Sequence, residues 1–214
     1  MKKLSRIPAA LFVVAELFVL PAFAYETDLS ESAVREAYFL GQRHDEKTSA
    51  FLTQYIKYLP KPKSGPQISE VRLLTPLAQI VQVSQLAQPG YNAQQARLDY
   101  QKRGDSILLT IHIEFTPTYN LIQTEKSANR VRADQFWQDF RFRLKQKGEW
   151  IEPRSTRGEP EYKYAVGGGS KVLVGAWVYL EYDTARVSAD DTEVHVLPPE
   201  GEEVTSSFDL TKVR

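Results

Sequence analysis

The sequence predicts a mainly β, α+β protein: an antiparallel β-sandwich preceded by a helical hairpin. Three observations point there. The apolar period changes from about 3.6 to about 2 after Pro66. Two long segments, 107–115 and 171–182, carry strictly alternating apolar faces. The strand-like segments are joined by turns, with no helix alternating between them, which is the pattern of antiparallel sheets.

The order of elements begins with an export leader. Lys2, Lys3 and Arg6 form a basic start, an apolar run follows from Ile7 to Phe23, and Ala22-Phe23-Ala24 places small residues where a signal peptidase cuts. Cleavage between Ala24 and Tyr25 is expected. Glu16 within the apolar run costs about 2.5–3.5 kcal/mol on insertion scales, which makes the segment a poor permanent anchor. After cleavage no transmembrane anchor is expected, and the periplasm is the first expected compartment, with the extracellular space second. The chain has no cysteine, which removes disulfides, thiol catalysis, thiolate metal sites and a lipid-modified cysteine after the leader.

The helical head comes next. Asp28 and Ser30 are N-cap candidates, and Ala33, Val34, Ala37, Tyr38 and Leu40 give an apolar stripe that Gly41 interrupts. A second helix is expected over 46–59, from Phe51, Leu52, Tyr55, Ile56 and Leu59. Pro60 and Pro62 end it, because proline lacks an amide donor and restricts the residue before it. Lys61-Pro-Lys-Ser-Gly-Pro66 reads as a linker.

The β region starts beyond it. Segments 71–74 and 77–83 lean to strand, broken by Thr75-Pro76, and 92–103 is a short helix or loop. Segment 107–115 turns Ile107, Leu109, Ile111, Ile113 and Phe115 one way. Alternation over 136–144 predicts another strand, and Lys147-Gly148 a tight turn into Trp150-Ile151. Glycines 167–169 precede the strand at 171–182, and short strands near 194–197 and 208–213 close the chain.

The pattern of seven or eight strands resembles an immunoglobulin-like sandwich. The expected domains are a signal peptide at 1–24, a helical hairpin at 25–60, a linker at 61–67 and the sandwich at 68–214. The head is expected to lie across the outer face of the 171–182 strand, over Leu173, Trp177 and Tyr179, burying both surfaces.

Charge disfavours nucleic acid as a partner. The chain balances 27 basic and 27 acidic side chains, and removal of three bases and one acid with the leader leaves 24 against 26. Acids concentrate over 181–209 and bases over 125–147, blocks that can pair within the fold. Catalytic signals are sparse. There is no Gly-x-Ser-x-Gly elbow, and the glycine run lacks the Lys-Ser/Thr ending and following helix of a phosphate loop. His44 sits at the interhelical turn. His112 with Glu114, and Glu193 with His195, are two-apart pairs on strand faces. They are weak metal-ligand candidates, able to form a His2Glu2 set only if their strands are neighbours.

The most informative surface is the outward side of the 136–145 segment: Trp137, Arg141, Arg143 and Lys145, with Asp139. Tryptophan beside arginine is the composition of interface anchors, unless the head covers it and makes Trp137 core. The expected function is therefore a non-catalytic, cofactor-free envelope protein that works by binding. Its expected partner is another envelope protein, in an adaptor or assembly role. The alternatives are a module for cell-wall polysaccharide and, third, a metal-dependent enzyme using His112 and His195.

Overall fold

A computed structural model describes residues 25–119, 133–165 and 168–214. The expected leader, Ala24 at its cut, the basic residues before 133 and Gly167 lie outside them. Among the described residues, no helix is long and apolar enough to cross a membrane.

The chain is mainly β, with two antiparallel sheets. Nine strands are described: β1 (Ile56–Tyr58), β2 (Gln67–Leu74), β3 (Ser106–Glu114), β4 (Arg141–Gln146), β5 (Glu149–Ile151), β6 (Ser155–Tyr164), β7 (Lys171–Asp183), β8 (Asp191–Leu197) and β9 (Val204–Asp209). One sheet runs β1-β2-β3-β7-β6 and the other β5-β4-β8-β9. Both send side chains into one core. Ile107, Leu109, Ile111 and Ile113 of β3 and Ala176, Val178, Leu180 and Tyr182 of β7 join Leu144, Val194, Val196 and Phe208 of the second sheet. The alternation over 107–115 and 171–182 thus has the cause expected of it: one face of each strand is core. The Lys147-Gly148 turn is also present, with φ of 50° and 84°, joining β4 to β5.

Four α-helices are described: α1 (Glu31–Gln42), α2 (Glu46–Thr53), α3 (Pro76–Leu86) and α4 (Ala93–Arg103). Ser30 caps α1, its Oγ accepting from the Ala33 amide at 3.2 Å. Gly41 does not interrupt α1. It lies inside the helix, where a Cβ would run into the Val81 carbonyl and Ser84 of α3, so the glycine permits two helices to approach. The helices bury one another around Val34, Ala37, Leu77, Ile80, Val81 and Ala96, forming a second core beside the sandwich. They do not lie across Trp177 and Tyr179, which remain half-buried on the outer face of β7. His112 and Arg72 of the same sheet pack on Trp177 instead.

Four expected elements take other forms; the last strand, expected near 208–213, is Val204–Asp209, ending in a turn where the Asp209 carboxylate accepts from the Thr211 amide. The second helix stops at Thr53, and Ile56–Tyr58 becomes an edge strand on β2, because β2 offers free backbone partners: the Leu73 amide donates to the Tyr55 carbonyl at 3.0 Å. Segment 77–83 is helical, since Thr75 accepts from the Ala78 amide and Pro76 occupies the first turn, where its missing N–H costs nothing. Residues Ala133–Asp139 form a 3-10 helix kinked at Gln135, and only Arg141–Gln146 is strand. Phe136 and Phe140 serve that helix equally well, both buried and packed edge-on against Tyr119.

Candidate functional site

The helical layer and the loops occupy opposite ends of the sandwich. At one end α3 begins two residues after β2, and the Gln79 amide bonds the carbonyls of Leu74 (3.2 Å) and Ser106 (2.6 Å). The other end of β2, roughly 20–25 Å away at the rise of a strand, lies away from α1–α4 and carries a groove of about 720 Å³. Its walls are the β1–β2 connection, residues 59–66, and the β8–β9 connection, residues 198–203.

Residue by residue, the groove is rigid and dipolar. Pro60, Pro62 and Pro66 stiffen one wall, and Pro198 the other. The Thr116 hydroxyl donates to the Gly65 carbonyl at 2.5 Å and pins the first wall to the sheet. Gly65, at a φ of 85°, passes so near the second wall that a Cβ would lie 3.5 Å from the Glu200 carbonyl. Leu59, Ile68 and Val204 supply apolar surface. Lys61 and Lys63 are exposed on one side, Glu202 and Glu203 on the other. Among the described residues neither lysine has an ion-pair partner. Glu203 is anchored by the His195 Nδ1 at 2.9 Å.

The residues singled out from sequence are scattered. Trp137 sits in the 3-10 helix, half-buried, with its indole lying on Gly158 of β6, where any side chain would collide with it. It is a packing residue, separated from the basic strip because the segment before Arg141 is helical. Arg141 and Arg143 are exposed, and Lys145 is half-buried. The aromatic partner of that strip is Trp150, from β5, with Arg143 at 5.2 Å and Lys145 at 5.5 Å from its ring centre. The strand pairing Lys145↔Trp150 makes this contact, and a hairpin reading of 141–151 could have found it.

His112, Glu114, Glu193 and His195 do not form one set. β3 and β8 belong to different sheets, and the two histidines lie on opposite outer faces with the core between them. Among the described residues no group of three or more potential ligands is arranged to hold a metal ion. His195 is held by Glu193 at 3.2 Å and Glu203, with Trp150 edge-on at 5.0 Å. Its hydrogen bond, followed by the nearby Lys145 charge, lowers the Glu193 pKa. The basic and acidic blocks pair here, Lys145 with Glu193 at 3.6 Å and Lys147 with Asp190 at 2.9 Å.

One constellation escaped the sequence. Ser69, the extra residue of a bulge in β2, places its Oγ 2.8 Å from His112 Nδ1, and Glu161 of β6 lies 2.8 Å from Nε2. Glu114 also approaches Nδ1, at 3.4 Å, so both ring nitrogens face polar partners. The ring is stacked on Trp177 with centroids 4.0 Å apart, and only 13% of the His112 side chain is exposed. Four adjacent strands are thereby riveted through one imidazole. No spacing rule joins residues 69, 112, 161 and 177, which only the strand register aligns.

No protein-family model, curated protein or solved structure matches the chain.

Proposed function

We propose that the chain is an exported, non-catalytic binding protein, and that it holds an extended segment of another envelope protein in the groove between residues 59–66 and 198–203. The groove carries this reading: it is a concavity of about 720 Å³ at the end away from α1–α4, it is walled by proline-stiffened loops, and it faces opposite charges across an apolar floor. Loops on a rigid sandwich are favoured recognition sites, and pre-stiffened walls lose little entropy on binding. Acidic side chains of the segment would face Lys61 and Lys63, and basic ones Glu202.

A photo-crosslinking residue at position 64 tests this in intact cells. The expected result is a crosslink to one defined segment of a partner. The variant Lys61→Glu/Lys63→Glu should lose that crosslink while its melting temperature is unchanged. Crosslinks that survive the charge reversal, or none at all, reject the groove.

A second reading rests on Trp150. Its ring is 43% exposed and flanked by Arg143 and Lys145 on the outer face of β4–β5, a combination suited to an acidic cell-wall polysaccharide. Added polysaccharide should then change tryptophan emission in the wild type and leave Trp150→Phe unaffected.

A further inference from the structure

Among the described residues four strand edges are open in the two sheets, and they are unequally defended. Unpaired edges invite pairing with another chain, and proteins blunt them with short strands, prolines, bulges and charge. β1 and β5 have three residues each. β6 is long, but it contains Pro160, a register break between Glu161 and Tyr162, and the charges of Arg157, Glu159, Glu161 and Lys163. β9 itself has none of these devices, although Lys57 of β1 reaches over its Phe208 ring, 5.8 Å from the centre. Val204-Thr-Ser-Ser-Phe208 holds no proline and no charge, its register with β8 is unbroken, and Asp209 alone is ionisable. Among the described residues, no backbone hydrogen bond from 204–208 goes anywhere but to β8.

A second observation lies at the centre of this edge. Ser206 is 6% exposed, yet its hydroxyl has no hydrogen-bond partner among the described residues. Buried hydroxyls are normally satisfied, so an orphan midway along an undefended edge calls for an explanation.

We infer that β9 pairs antiparallel with β9 of a second copy of this chain, about a two-fold axis through Ser206, joining two four-stranded sheets into one of eight. That register sets Val204 against Phe208 of the second copy and Thr205 against Ser207, an apolar pair and a hydroxyl pair, with no like charges opposed in 204–208. The two Ser206 side chains sit side by side on the core face, with Cβ atoms about 4.5–5.5 Å apart, and each buried hydroxyl gains the other as partner by rotating toward the seam. At the rim Glu203 meets Asp209, which is already paired with Lys212, while Glu203 bonds the His195 ring. Residues one step along the strand have no self-contact in this register. The pairing touches the second wall of the groove, since Val204 and Thr205 also line it, but Lys61 and Lys63 take no part in it, which keeps the two tests distinguishable.

The absence of cysteine gives a clean test. Directly opposed residues have Cα atoms within disulfide range. Under mild oxidation, purified exported Ser206→Cys should run as a covalent dimer, and Ser207→Cys should not. Light scattering should give the wild type twice the monomer mass. Thr205→Lys/Ser207→Lys should halve that mass with an unchanged melting temperature, and Lys61→Glu/Lys63→Glu should leave it dimeric. A wild type that stays monomeric, or equal crosslinking through positions 206 and 207, overturns the pairing. Failure of the groove crosslink with the disulfide intact rejects only the groove.

Discussion

At the scale of single residues, the fold depends on places where one side chain occupies another's space. Trp137 lies over Gly158 because β6 presents no Cβ there. Gly158→Ala forces the indole out of its site, and overpacking of this kind costs about 1–3 kcal/mol. The expected outcome is a lower melting temperature with a red-shifted tryptophan emission. An unshifted spectrum would mean that the ring does not rest on β6. Ser69, His112, Trp177 and Glu161 form the other such site, a stack in which each member's position is fixed by its neighbours on adjacent strands.

At the scale of elements, helix ends carry the local energetics. Asp45 caps α2, accepting from the Thr48 amide at 3.2 Å, and also binds Arg43. The Arg43 hydrogen bond is the largest of the influences that bring its pKa down to about 2. A carboxylate with a depressed native pKa stabilises above its ordinary value of 3.8 and loses that contribution as pH falls toward 2. Amide-exchange protection in α2 should therefore fall over that interval, and Asp45→Asn should flatten the dependence. What the sequence disclosed at this scale follows from the same physics. β3, β7, the β4–β5 hairpin and the Ser30 cap were legible because alternation, turn residues and caps are local signals. α3 was not, since Thr-Pro before an apolar run opens a helix or breaks a strand with equal ease. β6 left no trace because a mostly exposed edge strand has no burial pattern to display. Residues 61–66 have linker composition, and their rigidity comes from Thr116 and from a loop more than a hundred residues away.

At the scale of the whole molecule, distant parts of the chain are tied by buried tyrosines. Tyr25 enters the sandwich core and its hydroxyl donates to the Val187 carbonyl, while the Tyr55 hydroxyl donates to the Arg214 carbonyl at 2.6 Å. Burial pushes the phenols of Tyr25, Tyr91 and Tyr100 up to about 12 and raises those of Tyr55 and Tyr182. Groups whose native pKa exceeds the ordinary 10.0 stabilise fully below that value and cease to do so as pH rises through the native one. Unfolding is expected between about pH 10 and 12, followed by circular dichroism. A dichroism spectrum unchanged through that interval would show that ionising these rings does not open the fold. The pairing of early and late segments has a consequence for timing. Tyr25 needs Val187, and Phe208 sits in the same core, so the sandwich cannot close until nearly the whole chain has been released. A chain that emerges from its start therefore stays loose until its last strands are free, and only then closes.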